Sequence, residues 1–286
     1  MRLLKKTTKV PELTELGLRG RGLKNLEDSI LRPHGIILIC GPTGSGKTTT
    51  LYSIISKIST PKVNVVTLED PIEYKIPGVN QVQINPAAGL TFASGLRSFL
   101  RQDPNVILVG EIRDKETADL AVQASLTGHL VFATLHTNDA SGAIPRLLDM
   151  GAEPYLLASS LTCVVAQRVT RQIHTECKEE YIPDPKIVED MKQILGNLWK
   201  APDQVKLYRG KGDAECANSG YYGRLGIFEV LPITEKVSKL ILERASATEI
   251  AKQAQEEGMI TLKQDGYSKV ADGLTTVEEI LRVAEE

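Results

Sequence analysis

One stretch of this chain has residue types and spacing that prescribe a chemistry: GPTGSGKT at 41–48. It fits the phosphate-loop pattern G-x-x-x-x-G-K-[ST]. Gly41, Gly46, Lys47 and Thr48 hold the fixed positions, Pro42, Thr43, Gly44 and Ser45 fill the loop, and Thr49 follows it. Glycines let successive backbone N–H groups close around phosphate oxygens, and a helix starting at the loop's end adds a positive partial charge. Lys47 is placed to reach β- and γ-phosphates, and the Thr48 hydroxyl to ligate Mg²⁺. The chemistry expected is the binding of ATP with Mg²⁺. The competing reading, a glycine turn that binds nothing, is opposed by both flanks: the apolar GIILIC (35–40) before the loop and TTTLYSIISKI (48–58) after it.

Hydrolysis needs acids as well. VILVGE (106–111) is an apolar strand ending in an acid, with Gly110 where most such sites carry aspartate. Glu111 is therefore the candidate to orient and deprotonate an attacking water. LEDPIEY offers Glu69, Asp70 and Glu73 at the end of another strand, where open α/β sheets place ligands; a solvated acidic turn is the alternative. His129 and His136 bracket a third strand. A neutral histidine can donate to a phosphate oxygen, although many histidines are core residues satisfied by backbone. Arg97 and Arg101, four apart on one helix, and Arg113 are candidates to stabilise a transferring phosphoryl group; surface salt bridges are the alternative.

These residues require a frame of alternating strands and helices. The strands are 35–40, VNVVTLED (63–70), QVQIN (81–85, read as part of a hairpin), 106–111 and HLVFATLH (129–136). The helices are 48–58, 92–102, 115–128, 142–151 and PYLLASSLTCVVAQRV (154–169), after a lead-in helix around 23–31. Such alternation predicts an α/β fold with a mainly parallel sheet covered on both faces. The expected organisation is a lead-in at 1–34, a core at 35–170, a polar insert subdomain at 171–225 and a C-terminal helical subdomain at 226–286. Gly258 and Gly273 stand where helix C-caps belong, and Thr276 with Glu279 has capping-box spacing.

Composition narrows the classes. The 286 residues include 34 Lys+Arg and 36 Asp+Glu, a net charge of −2, so no global basic field draws the chain to nucleic acid, and none is expected as a partner. No apolar run approaches the roughly 18 residues of a membrane helix. The basic start MRLLKKTTKV has no apolar stretch behind it and is not a signal peptide, so a cytoplasmic chain is expected. Four cysteines in such a chain argue against a disulfide framework.

The combination of RPHGIILICGPTGSGKTTTLYS, TLEDPIEY, GLTFASGLRSFLRQDPNVILVGEIRDKETADLAVQASLTGHLVFATLHTNDA and GYYGRLGIFEV resembles the hexameric secretion ATPases that power type IV pilus extension and type II secretion. The resemblance covers nearly all of residues 30–286. It implies a RecA-like phosphate-loop core, a homo-hexameric ring at the cytoplasmic face of the inner membrane and a membrane platform protein as partner. By the same resemblance Lys47 and Thr48 bind phosphates and Mg²⁺, Glu111 is the catalytic glutamate, and Glu69, Glu73, His129 and His136 line the site. The chain departs from the family in two places. The family's N-terminal domains are almost wholly missing, and MRLLKK is read as their last remnant, as in an excised fragment or a short member. Where such proteins often carry two C-x-x-C pairs, this chain has His174-x-x-Cys177 and Asp213-x-x-Cys216. That set can hold Zn²⁺, with an insert that folds by its own packing as the alternative. The insert favours extension or secretion over retraction. Rival readings are a nucleic-acid translocase on the same core and a nucleotide-binding scaffold that does not hydrolyse.

Overall fold

The computed structural model describes residues 10–199 and 205–284. Helix α1 (Gly20–Ile30) leads into β1 (Gly35–Cys40), α2 (Lys47–Ile58), β2 (Val65–Glu69), β3 (Asn80–Gln83), α3 (Phe92–Phe99), β4 (Val106–Val109), α4 (Lys115–Leu126), β5 (Leu130–Leu135), α5 (Ala143–Asp149) and α6 (Pro154–Ser160). Next come β6 (Leu161–Ile173), β7 (Lys178–Tyr181), α7 (Pro185–Leu195), β8 (Leu207–Gly210) and β9 (Tyr221–Pro232). Four helices close the chain: α8 (Glu235–Leu242), α9 (Ala247–Glu256), α10 (Leu262–Ala271) and α11 (Val277–Ala284). The reading of MRLLKK as a remnant concerns residues outside the described ones.

The main sheet has seven strands in the order β3-β2-β4-β5-β1-β6-β9. Pairing is parallel from β3 through β6, and only β6 with β9 is antiparallel. Every residue of β1, β2, β4 and β5 is buried, which is why these segments read as continuous apolar runs rather than alternating ones. Alternate side chains still divide between two cores. Ile36 and Leu38 pack with Leu96, Ala121 and Leu147, whereas Ile37 and Ile39 pack with Leu26, Ile54 and Ile55. Each fully buried aliphatic side chain of this kind contributes about 1.5–3 kcal/mol.

Two expectations about elements are corrected. Residues 154–169 are not one helix: α6 stops at Ser160 and β6 begins at Leu161. The first eight residues of β6 are all buried, and an apolar run without alternation carries no period to separate helix from strand. The β-branched Thr162, Val164, Val165, Val169 and Thr170 are the local signal for the strand. Residues 81–85, read as part of a hairpin, are mostly a parallel edge strand: β3 pairs with β2, and of that segment Asn85 alone bridges antiparallel, to Leu90. The long strands β6 and β9 also run through the segment borders drawn at 170 and 225, so the insert emerges from a continuous antiparallel pair. Beyond the main sheet the insert contains α7 and the two-stranded β7–β8 ribbon. Gly258 and Gly273 follow their helices with φ of +88° and +66°. Thr276 Oγ1 accepts from Glu279 N–H at 3.4 Å, but the Glu279 carboxylate turns away to Arg171, so the capping box is half made.

Candidate nucleotide-binding site

The loop between β1 and α2 opens at the C-terminal edge of the sheet, where the ends of β2, β4 and β5 also arrive. Two glycines are obligatory there. Gly46 has φ +86°, and a Cβ on it would meet Gln167 Nε2 at 2.8 Å; one on Gly41 would lie 2.6 Å from Gln167 O. Gln167 itself, on β6, accepts from Thr50 Oγ1 at 2.7 Å and braces the first turn of α2. Lys47 Nζ donates to Gly41 O at 2.7 Å and Pro42 O at 2.9 Å. Burial lowers the Lys47 pKa, and the nearby Glu111 opposes that shift.

The loop forms one wall of a cavity of about 510 Å³, to which Thr43 through Thr49 contribute. Gly41 and Pro42 do not line it; they serve as the base on which Lys47 rests. One buried hydroxyl in the loop, Ser45 Oγ, has no hydrogen-bond partner among the described residues, as suits a loop built to close on an anion. Glu111, Arg113 and His136 line the same cavity. Glu111 Oε2 accepts from Arg113 Nε at 2.6 Å, and Oε1 lies 3.3 Å from His136 Nε2. Strand β4 and its extension set this group. Gly110 N–H donates to Leu68 O at 2.7 Å and Gly110 O accepts from Thr134 Oγ1 at 2.5 Å, which fixes the residue before Glu111.

Glu69 and Glu73 also border the cavity, in different ways. Glu69 is buried, with both oxygens engaged: Oε1 accepts from Thr67 at 2.5 Å and Gln81 at 3.1 Å, and Oε2 from the Tyr52 hydroxyl. It anchors β2 to α2 and β3, an arrangement that suits a brace better than a base. Burial, then the hydrogen bond to Glu69, raises the Tyr52 pKa.

Three sequence-named residues fall elsewhere in this chain. His129 precedes β5, at the opposite sheet end, and its Nδ1 lies 2.6 Å from Pro104 O. A parallel strand carries His129 and His136 to opposite edges, roughly 20 Å apart. Arg97 of α3 pairs with Glu116, whereas Arg101 lies in the turn after α3 rather than on the same helix and donates its Nη1 to Arg97 O at 2.9 Å; both are exposed. Neither borders the cavity. Conversely, Arg224 of β9 does, as do Tyr52 and Thr134. Arg224 sits within the GYYGRLGIFEV segment, where its charge was the available signal.

A second cluster lies in the insert. The ligand atoms of His174, Cys177, Asp213 and Cys216 all lie within 4.8 Å of one another. His174 Nδ1 is 2.9 Å from Asp213 Oδ2, and the two sulfurs are 3.9 Å apart as free thiols. Cys177 Sγ accepts from Gly212 N–H at 3.3 Å, and Cys216 Sγ from Asp213 N–H at 3.2 Å and Gly220 N–H at 3.3 Å. Backbone donors aimed at sulfur are what thiolate ligands need, and four such donor atoms at this separation fit tetrahedral Zn²⁺.

A mainly parallel sheet with a phosphate loop after β1 and a glutamate after β4 defines a P-loop NTPase fold with a RecA-like core. The family model described as type II/IV secretion system protein matches residues 1–282, and the chain belongs to that family. It is 49% identical over 282 residues to the type IV pilus assembly ATPase PilB of Thermus thermophilus, covering 98% of this chain and 31% of that protein. It is 48% identical over 286 residues to the type II secretion system protein E of Pseudomonas aeruginosa, covering 100% of this chain and 56% of that one. This chain thus spans about a third to just over half of these relatives' lengths. Among solved structures, the pilus retraction motor PilT with bound ADP superposes with a TM-score of 0.72 at 30% identity, covering 100% of this chain and 69% of PilT. The ATPase DotB of Legionella pneumophila shares the fold, with a TM-score of 0.68 and 24% identity over 96% of this chain and 66% of DotB. Among the described residues no helix is long and apolar enough to cross a membrane.

Proposed function

We propose that this chain is the ATP-hydrolysing motor module of a machine that extends type IV pili or drives type II secretion. One observation carries this reading: Glu111, held between Arg113 and His136, shares one cavity with a phosphate loop in a chain of this family. In the proposed reaction the loop amides and Lys47 hold the β- and γ-phosphates. Thr48 would hold Mg²⁺, which when bound would neutralise phosphate charge. Glu111 orients the attacking water and takes its proton, and Glu73 supplies a second carboxylate on the metal side. His136 donates to the γ-phosphate and so senses its loss, while Arg113 keeps Glu111 aimed. Glu69 acts through Tyr52. Any contact that His129, Arg97 or Arg101 makes with nucleotide is with a neighbouring subunit's.

By analogy with the pilus and secretion ATPases, the working assembly is a homo-hexamer at the cytoplasmic face of the inner membrane, acting on a platform protein. The insert, with Zn²⁺ in the His174, Cys177, Asp213 and Cys216 cluster, favours extension or secretion over retraction. The near-neutral balance of charge, with a pI near 6.2, speaks against a nucleic-acid translocase. The test is steady-state hydrolysis of ATP with Mg²⁺ by this chain and by Glu111→Gln, with the mass in solution measured under the same conditions. The expected result is turnover that falls about 10²-fold in the variant while nucleotide still binds. Equal rates in the two proteins remove Glu111 from its role. Salt-dependent DNA binding at physiological ionic strength favours the translocase instead.

A further inference from the structure

Glu229 is a buried acid that the proposed reaction leaves without a task. It lies on β9, paired with Ala166 of β6, and is 5% exposed. Its two oxygens serve two distant parts of the chain. Oε1 accepts from Ala140 N–H at 2.9 Å, and Oε2 from Leu262 N–H at 3.3 Å. Ala140 lies in the loop that begins at His136, and Leu262 is the first residue of α10.

The rest of that loop is pinned as well. Arg168 Nη2 donates to Asn138 O at 2.8 Å, Thr137 Oγ1 donates to Asp139 O at 2.9 Å, and Asp139 Oδ1 accepts from Gly142 N–H at 2.6 Å. The loop's first residue is His136, whose imidazole lies against Glu111. A buried carboxylate is costly to hold, and a neutral residue would fill the space more cheaply. What a carboxylate adds is two acceptors for two backbone donors, one of them at the positive end of a helix. Burial pushes the Glu229 carboxyl up to about 7. The Ala140 and Leu262 N–H bonds and Arg168 pull it down, while Asp139 pushes it up further.

We propose that Glu229 is a positioning residue that holds the 136–140 loop, and with it the His136 imidazole beside Glu111, and ties that loop to the first turn of α10. The proposal rests on the functional reading above, in which His136 and Glu111 serve turnover. It gives the nucleotide site a fixed link to the C-terminal helices, because α10 also meets the insert: Tyr267 donates to Asp190 of α7 at 2.6 Å.

The test is Glu229→Gln in the full chain. It keeps the volume but turns an amide N–H₂ toward one of the two donors. The chain has four histidines, so side-chain resonances can be assigned by the signal lost in His136→Gln. In Glu229→Gln the His136 resonance is expected to move while those of His34 and His129, at the opposite sheet edge, stay in place. Turnover at saturating ATP is expected to fall about 10-fold, with KM changed less than about 3-fold. The double variant with His136→Gln should be no slower than His136→Gln alone, since both changes act at one point. An unmoved His136 signal, or losses that multiply in the double variant, overturns the proposal. If the parent chain shows no Glu111-dependent turnover, the functional reading fails, and the histidine spectrum still decides the tie. If Glu229→Gln loses the His34 and His129 signals of the folded state, Glu229→Asp takes its place. It keeps the carboxyl group but shortens the reach, so the same shift of His136 is expected, and its absence is again decisive.

Discussion

At the residue scale, the loop and its lysine were legible because backbone chemistry fixes their spacing. A lysine one residue after the last loop glycine starts α2, and its Nζ rests on the Gly41 and Pro42 carbonyls, to which a triphosphate is the competing partner. Lys47→Ala is expected to weaken ATP binding by about 10- to 100-fold, the worth of a hydrogen bond to a charged group. Calorimetric titration measures this, and parent-like affinity would contradict the phosphate-loop assignment. Glu111, Arg113 and His136 could each be named from the sequence, but not their contact with one another: Arg113 turns back from two residues on, and His136 arrives at the end of another strand. Strand β5 separates His129 from His136, so only the residue after the strand reaches the cavity.

At the element scale, strands β1, β2, β4 and β5 announced themselves, whereas β6 did not. Gln167 and Arg168 were therefore hidden inside a segment read as helix, although one braces the first turn of α2 and the other holds the loop after β5. The insert shows a different limit. Two half-motifs 39 residues apart in their cysteines become one cluster only because β6 and β9 run side by side and bring their ends together. If that cluster holds Zn²⁺, the purified chain carries about one zinc by elemental analysis, and Cys216→Ser loses most of it. A chelator should then lower the melting temperature of the parent but leave that of Cys216→Ser unchanged. A zinc-free chain that melts identically with and without chelator instead has an insert held by its own packing.

At the scale of the whole molecule, the C-terminal helices are fastened to the sheet by Glu279 of α11. Its carboxylate accepts from Arg171 N–H and Arg171 Nη2, each at 2.8 Å, and from Arg282 Nη2 at 2.7 Å. Burial pushes this carboxyl up, but the hydrogen bonds from Arg282 and Arg171 outweigh it and bring it down to about 2 from 4.5. A carboxylate lowered in the folded state contributes stability above about pH 4.5 and loses it as pH falls toward 2. Glu279→Gln is therefore expected to cost about 1–3 kcal/mol at neutral pH and to flatten that acid limb, as measured by urea unfolding across the range. A variant with the parent's acid profile would place the pH dependence in other groups. By itself the sequence determined the phosphate loop, the glutamate after β4, the alternating core and the family, because each is written in short-range spacing or in apolar runs that local rules can read. Only the tertiary structure decided that Arg97, Arg101 and His129 do not line the cavity and that Arg224 and Tyr52 do. It also decided that one buried glutamate on β9 joins the histidine loop to α10. Those outcomes depend on which strands become neighbours and in what register, a property of the packed sheet that no window of sequence contains.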